Sequence, residues 1–241
     1  QSLTVLPDGS IAYPVKNLHR IQIVTPDGKL VREFGEMGQA PGQMYLPAGI
    51  ASDKQGNIYV IEAGNNRVQV FTADGKSIKV ITPLGENTFK QPLGITVEPT
   101  GRIWVSDSGN NRVLVLNDDG SIPVKIGAEG NAAGKEPGQF ASPGHLSIID
   151  GKLYVPDSGN RRIQIFDPGN PAAPPQIIPI KETNPYSVAF DGRETYLVAG
   201  GRGVMTYDKN WKLLKEYYGD ATGEIWPLQA AYGNDGNIII A

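Results

Sequence analysis

The sequence contains no cysteine, which excludes disulfide bonds, thiolate metal sites, thiol nucleophiles and covalently attached haem. It has no apolar stretch near the roughly 20 residues that a membrane-spanning helix needs. Runs of Lys or Arg are absent and the formal net charge is −3, so the basic surface typical of a nucleic-acid-binding protein is missing. We therefore expect no membrane span and no DNA partner, and RNA is less favoured than protein as a partner.

Histidine is scarce, since only His19 and His145 occur in 241 residues. A catalytic zinc ion usually takes three protein ligands, most often His or carboxylate. The sequence also has no phosphate-binding loop, no dinucleotide-binding glycine motif and no G-x-S-x-G turn for a nucleophilic serine. We therefore predict no metal ion, no other cofactor and no catalytic residue.

A six-residue string recurs along the chain. It reads EAGNNR at 62–67, DSGNNR at 107–112 and DSGNRR at 157–162. Each copy follows an apolar run and precedes a run in which apolar residues alternate, as in Val68, Gln69 and Val70. A self-similar unit of about 45 residues indicates one supersecondary block that is used repeatedly.

A proline opens most units, and four short strands, named a to d, follow it. Turns containing glycine separate a from b and c from d, and Asp-Gly between alternating strands is typical of a hairpin. Antiparallel four-stranded units joined by turns predict the blades of a β-propeller. The anchor prolines are Pro47, Pro92, Pro143, Pro185 and Pro227. The predicted units are 1–47, 48–92, 93–143, 144–185, 186–227 and a partial unit at 228–241.

The fold class predicted from these units is all-β, a six-bladed β-propeller of four-stranded antiparallel blades. The sixth blade is expected to be incomplete in this chain, because residues 228–241 end after strand b. We hypothesise that the natural protein extends upstream of Gln1 by about one half-unit, which would supply the two remaining strands. An intact mass of the natural protein equal to that of this chain would contradict the hypothesis.

The pattern resembles the NHL-repeat family of β-propellers, in which an anchor Pro is followed by Gly-Ile-Ala, Gly-Asn-Ile-Tyr-Val and Asp-Ser-Gly-Asn-Asn-Arg. The resemblance covers essentially the whole chain and implies a single domain over residues 1–241. Members of this family are mostly protein-interaction domains, extracellular sensor domains or RNA-binding surfaces. A minority of related propellers are metal-dependent lyases or lactonases.

The polar string is predicted to be structural. Its acid should accept backbone N–H bonds in the b–c turn, and its first asparagine should adopt a left-handed φ. Its arginine should reach the carbonyls or carboxylates of a neighbouring blade. The alternative is a ring of acids and arginines that binds a ligand. A motif repeated in every well-formed blade favours the structural role, because a binding site usually breaks the symmetry.

The start of strand a should line the central channel of a propeller. The position two residues after each anchor gives Ser2, Gly49, Gly94, His145, Ser187 and Gln229. Of these, His145 is the one side chain that could bind a transition metal strongly, and we interpret it as a structural histidine held in place by hydrogen bonds. The alternative is a general acid or base.

The connections from strand d to the next strand a lie on one face together with the b–c turns, because strand direction alternates. They are long and varied, at 35–47, 83–92, 127–143 and 219–227. These loops are expected to fold inward and fill gaps between blades. The alternative is a face that binds a protein or a glycan, because aromatic residues on variable loops around one rim are typical of such a face. The predicted binding residues, which include the channel histidine, are Tyr45, Phe89, Lys135, Phe140, His145 and Trp226.

These observations predict a non-enzymatic scaffold that binds a protein or another ligand, as a subunit or domain of a larger exported assembly. The expected location is extracellular or periplasmic, and a protein partner should contact the long-loop face. One alternative is a propeller lyase or hydrolase with a central-channel site near His145. Another is an RNA-binding propeller, which the lack of a basic patch disfavours.

Overall fold

The structure, a computed structural model, describes residues 2–85, 88–218, 229–232 and 237–240. These residues form five antiparallel four-stranded sheets, here called blades, and one two-stranded sheet. Helical structure within these ranges is limited to short 3₁₀ turns, and no described helix has the length and apolar character to cross a membrane. The 3₁₀ turns are Lys16–Leu18, Ser108–Asn110, Glu129–Asn131 and Ser158–Asn160.

Every blade is built from four strands that are consecutive in sequence and adjacent in space. Blade 1 contains β1 (Thr4–Val5), β2 (Ile11–Val15), β3 (Arg20–Val24) and β4 (Leu30–Phe34). Blade 2 contains β5 (Pro47–Ser52), β6 (Ile58–Glu62), β7 (Arg67–Phe71) and β8 (Ser77–Ile81). Blade 3 contains β9 (Gly94–Val97), β10 (Ile103–Asp107), β11 (Arg112–Leu116) and β12 (Val124–Gly127).

The remaining strands continue the same order. Blade 4 contains β13 (Ser147–Ile149), β14 (Lys152–Asp157), β15 (Arg162–Phe166) and β16 (Gln176–Pro179). Blade 5 contains β17 (Pro185–Phe190), β18 (Tyr196–Gly200), β19 (Gly203–Tyr207) and β20 (Leu213–Tyr217). The two-stranded sheet pairs β21 (Ala230–Tyr232) with β22 (Ile238–Ile240).

The prediction of an all-β propeller with four-stranded antiparallel blades is confirmed, but the predicted count of six blades is wrong for the described residues, which form five. After blade 5 the described chain supplies only β21 and β22, which correspond to strands a and b. No described strand takes the positions of c and d there. The 219–227 loop and Pro227 lie outside the described residues.

Glycine turns set the hairpins between strands c and d, as the sequence predicts. In blade 2, Gly75 has a φ of 89° and donates its backbone N–H to the carbonyl of Thr72 (2.9 Å). Glycine adopts this left-handed conformation without the steric cost that a Cβ would add. The hairpin therefore follows from local sequence alone.

The core lies between the blades. Ile61 and Val68 of blade 2 pack with Val105 and Leu114 of blade 3 in one apolar cluster. The two central strands of blade 3 are buried along their whole length. Packing blade against blade around an axis buries both faces of each sheet, which one four-stranded sheet cannot do alone.

Candidate functional site

The innermost strands of the five blades and β21 surround a cavity on the axis of the ring. The cavity has a volume of about 300 Å³, and all six of these strands contribute to its lining. In each blade the lining begins at the residue after the predicted ring position, as at Ile50, Leu146 and Val188, and continues toward the a–b turn, so the cavity is directed toward these turns. Its described lining contains no Asp, Glu, Lys, Arg or His. We call this space the axial cavity.

Glycines allow the inner strands to approach each other at the inner end of the axial cavity. A Cβ on Gly94 would lie 2.8 Å from the carbonyl oxygen of Gly144, and one on Gly144 would lie 2.3 Å from that of Tyr186. Larger residues here would push the strands of blades 3, 4 and 5 apart. The residues predicted to face the channel therefore form a packed layer beneath the cavity.

Hydrogen bonds connect β21 to the blades on either side. Ser2 Oγ donates to Gln229 Oε1 (2.9 Å), and the backbone N–H of Ile50 donates to Ser2 Oγ (3.1 Å). On the other side, the backbone N–H of Ala230 donates to Ser187 Oγ (3.2 Å). The predicted ring positions Ser2, Ser187 and Gln229 thus join strands that are distant in sequence.

His145 lies in the packed layer, two residues before β13 of blade 4, and only 6% of it is exposed. Its backbone N–H donates to the carbonyl of Tyr186 (2.7 Å). Its imidazole makes no hydrogen bond to another residue in the described part of the chain. Burial removes hydration from the charged form and lowers the imidazole pKa to about 4. The ring is therefore neutral at neutral pH, with one donating and one accepting nitrogen.

Acid should destabilise the fold through His145. The folded pKa of about 4 lies below the ordinary value of 6.5, so the unfolded chain binds more protons between these values. Stability should therefore fall by about 2 to 3 kcal/mol as the pH decreases from about 6.5 to about 4. Denaturant titrations across this range measure the loss, and His145→Gln should lack this part of it. An unchanged pH dependence in the variant would contradict the prediction.

The described residues provide no group of three or more His, Asp or Glu side chains that could hold a metal ion. The axial lining offers hydroxyl, amide and main-chain oxygens, which do not fit a catalytic transition metal. Within the described ranges, the metal site expected of a metal-dependent propeller enzyme is therefore not found.

A larger cavity of about 730 Å³ lies at the periphery between blades 3 and 4. Its walls are β12 and the proline-rich segment 171–175, and Lys125 is its charged lining residue. Proline has no backbone N–H to donate, so this wall has few groups that could polarise a substrate. The axial cavity, next to a buried neutral histidine, is the better candidate for chemistry.

The structure separates the residues predicted to bind a partner. Phe140 is completely buried, and Phe89 packs against the core between blades 2 and 3. These two aromatics therefore fill gaps between blades, as predicted for inward-folding loops, and their prediction as binding residues is wrong. Tyr45 and Lys135 are exposed on the long-loop face. Trp226 lies outside the described residues.

The polar string clamps the loop that leads into its own blade. Glu62 is completely buried and accepts hydrogen bonds from Arg67 Nε (2.7 Å) and from the backbone N–H of Tyr45 (2.9 Å). Arg67 also donates to the carbonyl oxygens of Gln39 (2.6 Å) and Gln43 (2.9 Å) in that loop. The predicted structural role is confirmed, but the arginine binds the preceding loop and not a neighbouring blade.

The clamp recurs in blades 3 and 4. Arg112 Nε lies 2.7 Å from Asp107 Oδ2, and Arg162 Nε lies 2.7 Å from Asp157 Oδ2. Gln164 in strand c, also fully buried, donates to the same Asp157 oxygen (3.1 Å). The oxygens of these carboxylates are already occupied by protein donors, so a ring of ligand-binding acids is not formed.

The left-handed residue of the string is the one directly before the arginine, so the prediction for the first asparagine is wrong. Asn66, Asn111 and Arg161 have φ values of 53°, 49° and 51°. In blades 3 and 4 this residue closes a 3₁₀ turn. The conformation directs Asn66 Oδ1 toward the backbone N–H of Phe89, and Asn111 Oδ1 toward that of Ser142 (3.0 Å). Each asparagine thereby contacts the loop that leads into the next blade.

The serine of the string also binds the next blade, a contact that sequence reasoning missed. Ser108 Oγ donates to the carbonyl of Pro143 (2.5 Å), and Ser158 Oγ donates to that of Pro185 (2.5 Å). The acid of the string thus bonds to the loop that leads into its own blade, whereas the serine bonds to the proline that opens the following blade. One feature of the sequence could have indicated this contact, because Ser stands directly before Gly in both of these copies.

The NHL repeat profile matches residues 44–71 and 89–116. These segments contain strands a to c of blades 2 and 3. The match therefore falls on the same strands and polar string that build the repeated clamp. The chain is an NHL-repeat β-propeller.

This NHL-repeat propeller is 31% identical over 165 residues to a probable peptidyl-α-hydroxyglycine α-amidating lyase of Caenorhabditis elegans. The alignment covers 64% of the present chain and 45% of the nematode protein. The chain therefore spans less than half the length of this curated relative.

Solved structures share the fold at lower identity. A virginiamycin B lyase from Staphylococcus aureus is 17% identical with a TM-score of 0.70, and the match covers 100% of this chain and 76% of that one. A gluconolactonase from Xanthomonas campestris is 16% identical with a TM-score of 0.75, and the match covers 100% and 82%. At such identities the likeness shows the propeller fold alone.

The prediction of a non-enzymatic scaffold is wrong, because the relative that aligns with 64% of this chain is an amidating lyase, which favours the predicted alternative of a propeller enzyme. The error has a physical origin. The repeated residues hold loops and blades in place. The repeat pattern therefore identifies the fold but does not indicate which chemistry takes place at the axis. A fold of this kind accommodates many functions.

Proposed function

We propose that this chain is a lyase that acts at the axial cavity, with His145 as the proton-transferring residue. The observation that carries the proposal is the 31% identity over 165 residues to an amidating lyase. The proposal takes up the predicted alternative of a central-channel enzyme near His145. The axial cavity, of about 300 Å³, adjoins the layer that contains this histidine, and this supports a reaction at that position.

The substrate to test first is the one in the relative's name, a peptidyl-α-hydroxyglycine. Its terminal α-carbon carries a hydroxyl group and the amide nitrogen that links it to the carbonyl of the preceding residue. In the reaction the hydroxyl loses its proton, the carbonyl of glyoxylate forms and the Cα–N bond breaks. The nitrogen gains a proton and becomes the terminal amide. Atoms and electrons balance without an oxidant, so the protein must accept one proton and donate one.

A neutral imidazole suits both transfers. With a pKa of about 4, His145 has an unprotonated nitrogen at neutral pH and an N–H on the other side of the ring. The first nitrogen can accept the hydroxyl proton, and the second can donate its proton to the departing amide nitrogen. No described residue bonds the ring, so neither nitrogen is occupied by a protein partner, and the neighbouring Leu146 belongs to the cavity lining.

Release of glyoxylate from an N-acyl-α-hydroxyglycine tests the proposal. The wild-type protein should release glyoxylate above the uncatalysed rate, and His145→Gln should lower kcat about a hundredfold or more, as expected for loss of general acid–base catalysis. His19→Gln is the matched control and should retain the wild-type rate. His19 lies away from the axis, where its Nδ1 accepts the backbone N–H of Leu46 (3.1 Å).

Two outcomes would overturn the lyase proposal. One is the absence of glyoxylate release by wild-type protein whose fold is confirmed by circular dichroism. The other is an equal kcat for His145→Gln and wild type. Equal losses in the His145 and His19 variants would also count against it, because a general effect on the fold would then account for both.

We further propose that residues 1–241 form one domain whose ring has six positions, the sixth taken by β21 and β22. Two hydrogen bonds support this number, since Ala230 at the start of β21 bonds to Ser187 of blade 5, and the preceding Gln229 bonds to Ser2, next to blade 1. A single cooperative unfolding transition, followed by both fluorescence and circular dichroism, is expected for one domain.

The protein partner predicted for the long-loop face stays a prediction, as does the extracellular or periplasmic location. Tyr45 and Lys135 are the predicted binding residues that are exposed on this face, and they support a contact there. The axial cavity is directed toward the opposite face. Partner binding on the long-loop face would therefore leave the cavity open.

A further inference from the structure

Five aromatic side chains form a continuous group on the cavity side of blades 4 and 5. The ring centroids of Phe190 and Tyr196 are 4.7 Å apart, and those of Tyr196 and Trp211 are 4.3 Å apart. Tyr154 and Tyr207 lie 6.4 Å and 5.9 Å from the Trp211 ring. We call these five residues the aromatic row.

Strand pairing builds the row. In blade 5, Phe190 lies opposite Tyr196, and Tyr196 lies opposite Tyr207, so the three side chains share one face. Tyr154 of blade 4 meets this face, with its hydroxyl 3.0 Å from that of Tyr196. The Tyr207 hydroxyl donates to Glu182 (2.8 Å). The three tyrosines are buried, and their hydroxyl groups are bonded within the protein. The half-buried rings of Phe190 and Trp211 therefore provide the surface that a ligand can reach.

Trp211 occupies a turn position that glycine holds in three other blades. Gly28, Gly75 and Gly120 have φ values of 85°, 89° and 83°, and Trp211 has a φ of 60°. All four donate the backbone N–H to the carbonyl three residues earlier. A bulky residue rarely adopts this left-handed conformation. Here it stacks on Tyr196 with an interplanar angle of 12°, and it remains half-buried, so part of the indole is accessible.

The row starts at the axial cavity, because Phe190 belongs to the cavity lining. Phe190 lies three residues beyond Ser187, which is at the level of His145 in the ring, and this corresponds to about 10 Å along a strand. A substrate whose reacting end reaches that level would place its preceding residue near Phe190. The exposed Lys209 near the outer end is paired with Glu194 (3.0 Å), and the described cavity lining is uncharged.

We propose that the aromatic row binds an uncharged, apolar side chain of the substrate, that of the residue preceding the α-hydroxyglycine. The inference rests on the proposed lyase function for the position of the reacting group, and it adds the substrate class. The accessible rings of Phe190 and Trp211 favour an aromatic side chain at this position. A charged side chain would lose its hydration without gaining a partner.

The experiment compares N-acetyl-Phe-α-hydroxyglycine with N-acetyl-Ala-α-hydroxyglycine and N-acetyl-Glu-α-hydroxyglycine. Wild type should show a kcat/KM about tenfold higher for the Phe substrate than for the Ala substrate, mostly because the KM is lower. The Glu substrate should have the lowest kcat/KM of the three. Trp211→Gly should reduce the Phe preference to about twofold or less. Trp211→Gly should fold normally, because glycine holds this turn position in the other blades. Phe190→Ala serves as a second variant and should also reduce the Phe preference. Lys209→Ala should retain the wild-type preference.

Binding of non-reacting peptides separates this inference from the lyase proposal. If no substrate is turned over, the subsite is tested by measuring the binding of N-acetyl-Phe-Gly and N-acetyl-Ala-Gly by calorimetry. Tighter binding of the Phe peptide, lost in Trp211→Gly, would support the subsite while the lyase proposal fails. Equal binding of both peptides would overturn the subsite. Turnover with equal KM for the Phe and Ala substrates would overturn the subsite and leave the lyase standing.

Discussion

Replacement of Glu62 by alanine is expected to lower the free energy of unfolding by about 3 to 5 kcal/mol, the range for breaking a buried ion pair. Glu62 is completely buried and accepts hydrogen bonds from Arg67, Asn65, Gln69 and the backbone N–H of Tyr45. Without it, the guanidinium of Arg67, whose side chain is 9% exposed, loses its carboxylate. Equilibrium denaturation in guanidinium chloride measures the loss.

A double variant and a surface control make this test specific. Glu62→Ala with Arg67→Ala should be more stable than the sum of the two single losses implies, because no unpaired buried charge remains. Asp167→Ala should have little effect, since the Asp167–Lys152 pair is exposed at 3.3 Å. A loss in Glu62→Ala no larger than that in Asp167→Ala would show that the clamp does not stabilise the blade.

Replacement of Phe140 by alanine should also cost about 3 to 5 kcal/mol of unfolding free energy, the usual range for a buried Phe. Phe140 is completely buried, and its ring centroid lies 6.0 Å from that of Phe166. It shares an apolar cluster with Trp104 and Leu153, at the contact between blades 3 and 4. Thermal and chemical denaturation of the purified variant measure the loss.

A matched substitution in another loop shows whether burial is the cause. Met37 lies in the 35–47 loop, which corresponds to the loop that holds Phe140, and it is 65% exposed. Met37→Ala should change stability by about 0.5 kcal/mol or less. If Phe140→Ala were as stable as wild type, the residue would have to be assigned to a binding surface, as the sequence first predicts.

Features set by neighbouring residues could be predicted from the sequence, because their causes are local. Asp74 and Gly75 define a hairpin within a few residues, and the alternation of Val68, Gln69 and Val70 defines a strand. Even here the prediction had limits, because Gln69 is completely buried against the clamp, whereas alternation predicts an exposed side. Burial depends on a loop that lies more than twenty residues away in the chain.

The candidate site depends on contacts between segments that are far apart, so the sequence alone could not provide it. The low pKa of His145 results from burial where the starts of inner strands from several blades converge. Whether Ser2 meets Gln229 depends on how many blades complete the ring. One feature was within reach: aligning the c–d turns of the repeats places Trp211 in a column of glycines, which marks it as unusual.

The arginine clamps act on main-chain carbonyl oxygens, a group that every residue type carries. Arg162 donates to the carbonyls of Lys135 (2.7 Å), Glu136 (3.0 Å) and Gln139 (2.9 Å). The side chains at these loop positions take no part in those bonds. A loop can therefore exchange its residues one after another during evolution and keep the same path across the protein. New surface chemistry can arise on such loops without a change in the frame that supports them.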